Sequence, residues 1–547
     1  MNSMLRLATG SAPLRLALGL LPLEPHFRDP PDGRIQGETR PVVEEKALAI
    51  AAAVVRLFEH PSARELWTGY DARTRPLVLY VPDRWALLLN VSRPPPGFVA
   101  YPETWPELGA SASLWSGRYG ELVGQLSFDL EFEGGRAAAI PLADALFPPS
   151  DWSSSVFAFI VHEAFHQYQS ERFASVDTQP EEPYPILDPE NTALAAVEMR
   201  LLMDAVRASE RPGDPRLTPL AEEFVAVRTH RWRRATPLVE RLEREKELVE
   251  GTANYVEVRS VALMSEICGQ ARPSDRAASF CRVFPRRTLP EVLLQDFEQR
   301  LRGLAPSPED MPRNRIYPVG AALGCILDVL GVPWKAEAER AGGTFSFLGA
   351  LRARLGTGEE AVEARLERAR KRYDYAAILG AANRLVDAYR KECGEALEAF
   401  EAQRGRRLRL TLPSSGLVRS RSSRTKRWVL DGGLRVFSGR YLAYTLRSAG
   451  APGLSLQVND AGVLEEEDPS ARRKTVVCVL PEAGTIEVDG RRLGDPPDGT
   501  YGFRRLLLER GTVRLSCDTA GVLRIASRDV LVEVEEPSGS RPSSGPR

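Results

Sequence analysis

Residues 153–169 read Ser153-Ser-Ser-Val-Phe-Ala-Phe-Ile-Val-His-Glu-Ala-Phe-His-Gln-Tyr-Gln169. The apolar and aromatic positions are spaced for a helix, and Asp151, Ser153 and Ser154 offer oxygens for the free amides of its first turn. On such a helix His162 and His166 sit one turn apart on one face. Both imidazoles can then reach one zinc ion, while Glu163, beside the first, can hold and deprotonate a water there. The plain alternative is a core helix that carries two histidines by accident. With only five histidines in the chain, that coincidence has a chance of roughly a few in a thousand.

Two histidines leave a catalytic zinc shell short of a third protein ligand and an open position. Glu250 stands out, in Lys246-Glu-Leu-Val-Glu-Gly-Thr-Ala-Asn-Tyr-Val-Glu257. Gly251, Thr252 and Ala253 are small enough to let this helix approach the zinc helix, and Asn254 can hydrogen-bond a histidine's far nitrogen and fix its tautomer. Glu190, Glu198, Glu247 and Glu257 compete for the same place. Glu243, Glu247, Glu250, Asn254 and Glu257 also form one helical stripe, the usual mark of a solvated face. A solvated face, however, would leave Gly-Thr-Ala without a packing purpose.

At these residues the chain resembles the gluzincin metallopeptidases, above all the aminopeptidase N-like families. His162-Glu163-x-x-His166 followed by Glu250-Gly-x-Ala-x-Tyr255 is similar to their zinc-binding segments, in which the Glu-Gly-x-Ala glutamate is the third ligand. Ile316-Tyr317-Pro-Val-Gly320 is similar to their Tyr-x-x-Gly segment, which implies that Tyr317 stabilises the tetrahedral intermediate. The resemblance covers about residues 122–332 and departs from the family twice. The interval between His166 and Glu250 is far longer than usual, so an insertion must loop out there. The Gly-x-Met-Glu-Asn segment that recognises a free amino terminus is missing from the strands ahead of His162. What carries over is a zinc-dependent peptidase with one zinc per chain and a peptide or protein substrate, without the aminopeptidase assignment.

The composition, 43% hydrophobic and 27% charged over 547 residues, is that of a soluble protein too long for one core, and two or three domains are expected. A formal net charge of -1 supplies no field to draw the chain to nucleic acid or an anionic membrane. Six cysteines show no CxxC pair; Cys268 and Cys281 flank a loop-like stretch and could bridge in an oxidising compartment, but are read as reduced. Residues 1–27 hold a short apolar run interrupted by Arg15 and bracketed by Pro13 and Pro22. A cytoplasmic location is favoured, with secretion the alternative if this run works as a weak signal. No transmembrane span is expected.

In order, residues 1–40 form a partly disordered lead, and 41–403 a metallopeptidase-like catalytic domain with an α+β part (41–150) and a helical part (151–403). Residues 42–60 are an amphipathic helix; strands are expected at 76–81, 85–91, 122–132 and 137–142, the last two as a hairpin. Helices are expected at 192–208, 220–258 with a break near Pro237, 289–304, 317–330 and 359–403. The Arg/Ser-rich stretch 404–427 reads as a basic linker, 428–536 as an all-β sandwich or barrel, and 537–547 as a disordered tail. The fold class is thus multidomain α+β: a small mixed sheet plus a mainly helical catalytic domain, followed by an all-β C-terminal domain. Two other functions fit the same residues: a degenerate peptidase kept as a binding scaffold, and a zinc hydrolase of a non-peptide amide or ester.

Overall fold

The computed structural model describes residues 43–101, 112–119, 122, 129–132, 135–142, 152–174, 176, 181–272, 278–301, 303–356, 362–414, 417–423, 426–430, 433–448, 451, 453–481, 484–493 and 498–534. The expected lead, Asp151, most of the strand at 122–132 and the tail lie outside them. Two compact units result, one drawing on Arg28–Gln179 and Asp188–Asn383, the other on Pro180–Leu187 and Arg384–Arg547. The architecture is mixed α+β: a helical region with a small curled sheet, then an all-β region with a large one.

In the first unit α1 (Glu45–Glu59) buries every residue from Ala47 to Val54, with Leu57 and Phe58. β1 (Leu77–Val81) and β2 (Trp85–Leu89) are unbroken apolar runs, as strands covered on both faces should be. They pair antiparallel across a turn where Asp83 takes φ 61°. β3 (Val99–Ala100), β4 (Ser113–Ser116), β5 (Asp129–Phe132) and β6 (Gly135–Pro141) complete a sheet of order β3-β4-β2-β1-β6-β5. β6 runs parallel to β1 and forms the expected hairpin with β5.

After β6 comes α2 (Trp152–Arg172), the helix of the two histidines. Ser153 and Ser154 fall inside its first turn rather than at the cap. The middle of the helix is buried on nearly all sides: Val156, Phe157, Ile160, Val161 and Phe165 are fully buried. The Phe165 ring meets Tyr70 at 5.0 Å and Trp67 at 5.1 Å, both edge-to-face, while Phe157 meets Phe284 at 5.6 Å. Aromatic pairs hold best in such defined geometries, so these contacts fix the rotation of α2 about its axis.

The long interval between His166 and Glu250 is mainly helical: α3 (Pro189–Ser209), α4 (Leu217–Arg234) and α5 (Pro237–Lys246). The Asp188 carboxylate caps α3, accepting from the amides of Glu190 and Asn191. A π-helical turn (Glu247–Gly251) leads into α6 (Thr252–Gly269). Then come α7 (Ala278–Val283), α8 (Leu289–Leu301), α9 (Ile316–Val329), α10 (Trp334–Ala341), α11 (Phe347–Leu355), α12 (Val362–Arg372) and α13 (Tyr375–Glu401). The single helix expected over 359–403 is two, parted where Asp374 takes φ 49°. Cys268 and Cys281 form a disulfide, which corrects their reading as reduced: the end of α6 and α7 bring their Cα atoms to 4.9 Å. Among the described residues no helix is long and apolar enough to cross a membrane.

The second unit is built from β7 (Arg406–Pro413), β8 (Leu417–Ser423), β9 (Arg427–Leu430), β10 (Arg435–Ser448), β11 (Ser455–Asp468), β12 (Arg473–Leu480), β13 (Thr485–Val488), β14 (Arg491–Leu493), β15 (Gly499–Phe503), β16 (Leu506–Arg510), β17 (Val513–Cys517), β18 (Gly521–Ile525) and β19 (Asp529–Val534). All belong to one 13-stranded sheet, in which only β19 and β7 pair parallel among the described strands. The stretch 404–427 is therefore no linker. In β7 the leucines Leu408, Leu410 and Leu412 are fully buried and join the core, while the alternate arginines face outward. Period-two alternation outweighs the basic composition.

Candidate metal centre

His162 Nε2 and His166 Nε2 lie 3.1 Å apart. Glu250 Oε2 is 3.5 Å from the first and 3.4 Å from the second. A tetrahedral ion with bonds of 2.0–2.1 Å to nitrogen or oxygen spaces its ligands by about 3.4 Å, since a tetrahedron's edge is about 1.6 times its centre-to-corner distance. The three atoms thus form a triangle of the size that zinc requires. Glu163 is adjacent: His162, Glu163 and His166 each offer a ligand atom within 4.8 Å of the others.

The outer nitrogens fix how the rings are protonated. His162 Nδ1 is 2.9 Å from Glu257 Oε2, and His166 Nδ1 is 2.6 Å from Gln169 Oε1. Gln169 is held in that sense because its amide nitrogen donates to the Val249 carbonyl at 2.8 Å and the Thr252 hydroxyl at 2.7 Å. Each Nδ1 faces an acceptor and so carries the proton in the neutral ring, which turns both Nε2 lone pairs inward. Two lone pairs at this distance repel unless a cation or a proton lies between them. Burial pulls the His162 pKa down, but Glu250 and Glu257 outweigh it and push it up to about 10. Burial acts to raise the Glu250 pKa, while the two imidazoles hold it well below the ordinary carboxylate range. The pocket therefore favours positive charge.

Each sequence candidate can now be placed. Glu250 joins the histidines. Of its competitors, Glu198 and Glu247 are paired with Arg228, 2.8 and 2.5 Å away, Glu190 with Arg234 at 2.7 Å, and Glu257 sits on the outer side of His162. Asn254 does not touch a histidine; its amide donates to Glu257 at 3.2 Å, so the expected tautomer-fixing role belongs to Glu257, one turn further on. The small residues after Glu250 divide their tasks. Thr252 faces α2 through Gln169, while Gly251 meets α9, not α2: a Cβ on Gly251 would lie 2.7 Å from the Gly320 Cα.

Tyr317, in the first turn of α9, stacks on the His162 ring at 5.8 Å with planes 14° apart. Burial, helped by the nearby Glu250 carboxylate, raises its pKa above the ordinary tyrosine value against the pull of Arg313. It is a neutral donor at any physiological pH. Sequence reasoning missed Gln169 and Arg313. Gln169 lies three residues after His166, on the same helical face, and Arg313 four before Tyr317; those spacings were the available signals.

No protein-family model matches the chain, and no curated protein or solved structure matches it either.

Proposed function

We propose that the protein is a zinc-dependent hydrolase, specifically a metallopeptidase, holding one zinc ion per chain on His162, His166 and Glu250. The observation that carries this reading is the donor triangle of 3.1, 3.4 and 3.5 Å, with both outer imidazole nitrogens satisfied. The match of three motifs to gluzincins supports it and makes the helical region the catalytic domain. Zinc, when bound, supplies Lewis acidity that polarises a scissile carbonyl and acidifies a water. Glu163 accepts the proton of the attacking water as its oxygen bonds to the carbonyl carbon. The same carboxyl then returns the proton to the leaving nitrogen as the C–N bond breaks. The Tyr317 hydroxyl donates to the oxygen that becomes negative between those steps.

The test is zinc per purified chain for wild type, Glu163→Gln and Glu250→Ala, with hydrolysis of broad peptide libraries measured alongside. Wild type and Glu163→Gln should each hold about one zinc, and Glu250→Ala should lose most of it. Glu163→Gln should cut turnover by roughly 10²–10⁴-fold. A wild type that takes up no zinc when zinc is supplied sinks the reading. Zinc retention without cleavage of any peptide, amide or ester leaves the scaffold reading in its place.

A further inference from the structure

Behind Glu250 and Tyr317 lies a set of six charges with no part in the mechanism above. Glu198 on α3, Arg228 and Arg231 on α4, Glu243 on α5, Glu247 in the π turn and Arg315 ahead of α9 have side chains at most 1% exposed. Arg228 joins Glu198 at 2.8 Å to Glu247 at 2.5 Å. Arg231 joins Glu198 at 2.6 Å to Glu243 at 2.5 Å and also reaches Asn191 at 3.0 Å. Arg315 closes the lattice on Glu243. Three carboxylates meet three guanidinium groups, so the formal charge cancels.

Buried ion clusters of this kind are seldom more stable than apolar side chains of equal volume, so their value lies in geometry rather than strength. The two ends of this lattice are informative. Glu247 is three residues before Glu250, inside the π turn, whose wider winding separates the faces on which the two carboxylates project. Arg315 is the N-cap residue of α9: its carbonyl accepts the Val319 amide at 3.4 Å, and Tyr317 follows two residues later. The two groups that the site takes from outside α2 thus lie on segments tied, through Glu247 and Arg315, to one connected ion lattice.

We propose that this buried lattice is the positioning device of the site, and that Arg315, tied to Glu243, sets where Tyr317 and Glu250 stand relative to the two histidines. The inference rests on the zinc reading above. Arg315 and Glu243 touch no reacting atom; they act through α9 and the π turn.

The test uses the full chain as wild type, Arg315→Met, Arg315→Lys and the charge-balanced Arg315→Met/Glu243→Gln. Asp188→Ala serves as a control, because it removes the α3 cap and the ion pair to Arg234 but none of the bonds among the six charges. Zinc affinity is read by competition with a chromophoric chelator, site geometry by the visible absorption of the cobalt(II) form, and unfolding on the apo chains. Both Met-containing variants should bind zinc about 10–100-fold more weakly, as expected when supports of a metal site are lost. Their cobalt spectra should be altered, Arg315→Lys should recover part of both effects, and Asp188→Ala should be less stable with affinity and spectrum unchanged. Unchanged affinity and spectrum in either folded Met variant overturn the proposal, as does an equal affinity loss in Asp188→Ala. If both Met variants fail to fold while Arg315→Lys matches wild type, the lattice serves stability alone and the proposal falls. A wild type that binds neither metal removes the zinc reading itself, a result distinct from the others.

Discussion

At the scale of single residues, the site is decided by what sits on the outer side of each ring. A zinc-binding imidazole needs its second nitrogen held, because the hydrogen bond there sets both tautomer and ring direction. Glu257 does this for His162 at 2.9 Å, and the burial of the His162 ring leaves little room for a water to replace it. Glu257→Ala should therefore weaken zinc binding about 10–100-fold while the apo chain stays folded, as measured by chelator competition. Asn254→Ala, one hydrogen bond further out, should do much less; the reverse order would restore the role that the sequence suggested for Asn254. The limits of the sequence reading lie in this comparison. His162 and His166 were legible because helical spacing alone puts them together. Glu250 could be argued from the small residues beside it. Whether Asn254 or Glu257 reaches His162 depends on how α6 is rotated against α2, and that is set by tertiary packing which no spacing records.

At the scale of elements, three helices meet with little room. α2 is held by its aromatic contacts, α6 is joined to it through Gln169 and Thr252, and α9 lies against the π turn where Gly251 faces Gly320. A Cβ on Gly320 would stand 2.5 Å from the Gly251 Cα and 3.1 Å from the Glu247 carbonyl oxygen, both backbone atoms that cannot swing aside. Gly320→Ala must push α9 and the π turn apart, at a cost of about 1–3 kcal/mol. Because the same movement carries Glu250 away from the histidines, zinc affinity should fall together with the midpoint of chemical denaturation. A variant destabilised by this amount with zinc affinity intact would show that α9 yields alone. The sequence shows glycines at both positions but not that they meet; the small residues after Glu250 predict contact of Gly251 with α2 instead. The π turn was equally hidden, since it displaces the apolar pattern by about one residue at a single place, and one such displacement resembles ordinary irregularity in the pattern.

At the scale of the whole molecule, the sequence separated a helical region from a β-rich one, because the period of the apolar pattern changes between them. It misjudged the boundary, since the arginines of β7 suggested a linker while its leucines were entering a core. That core, with Leu408, Tyr444, Leu456 and Val532 fully buried within it, belongs to the second unit. Every donor atom of the proposed metal site, and every charge of the lattice behind it, belongs to the first. A ligand that binds only the folded state stabilises by RT ln(1 + [L]/Kd), about 2.7 kcal/mol at a hundredfold excess over Kd, and protects the structure that must open to release it. Zinc binding to the first unit should therefore be felt within the first unit. Hydrogen exchange followed with zinc in excess and again after chelation should show faster exchange in α2, the π turn, α6 and α9 once the metal is removed. Amides of β7, β12 and β19 should exchange at the same rate in both conditions. Equal loosening of both sets would mean that the two units open as one, and the site could no longer be treated as a property of the helical region alone.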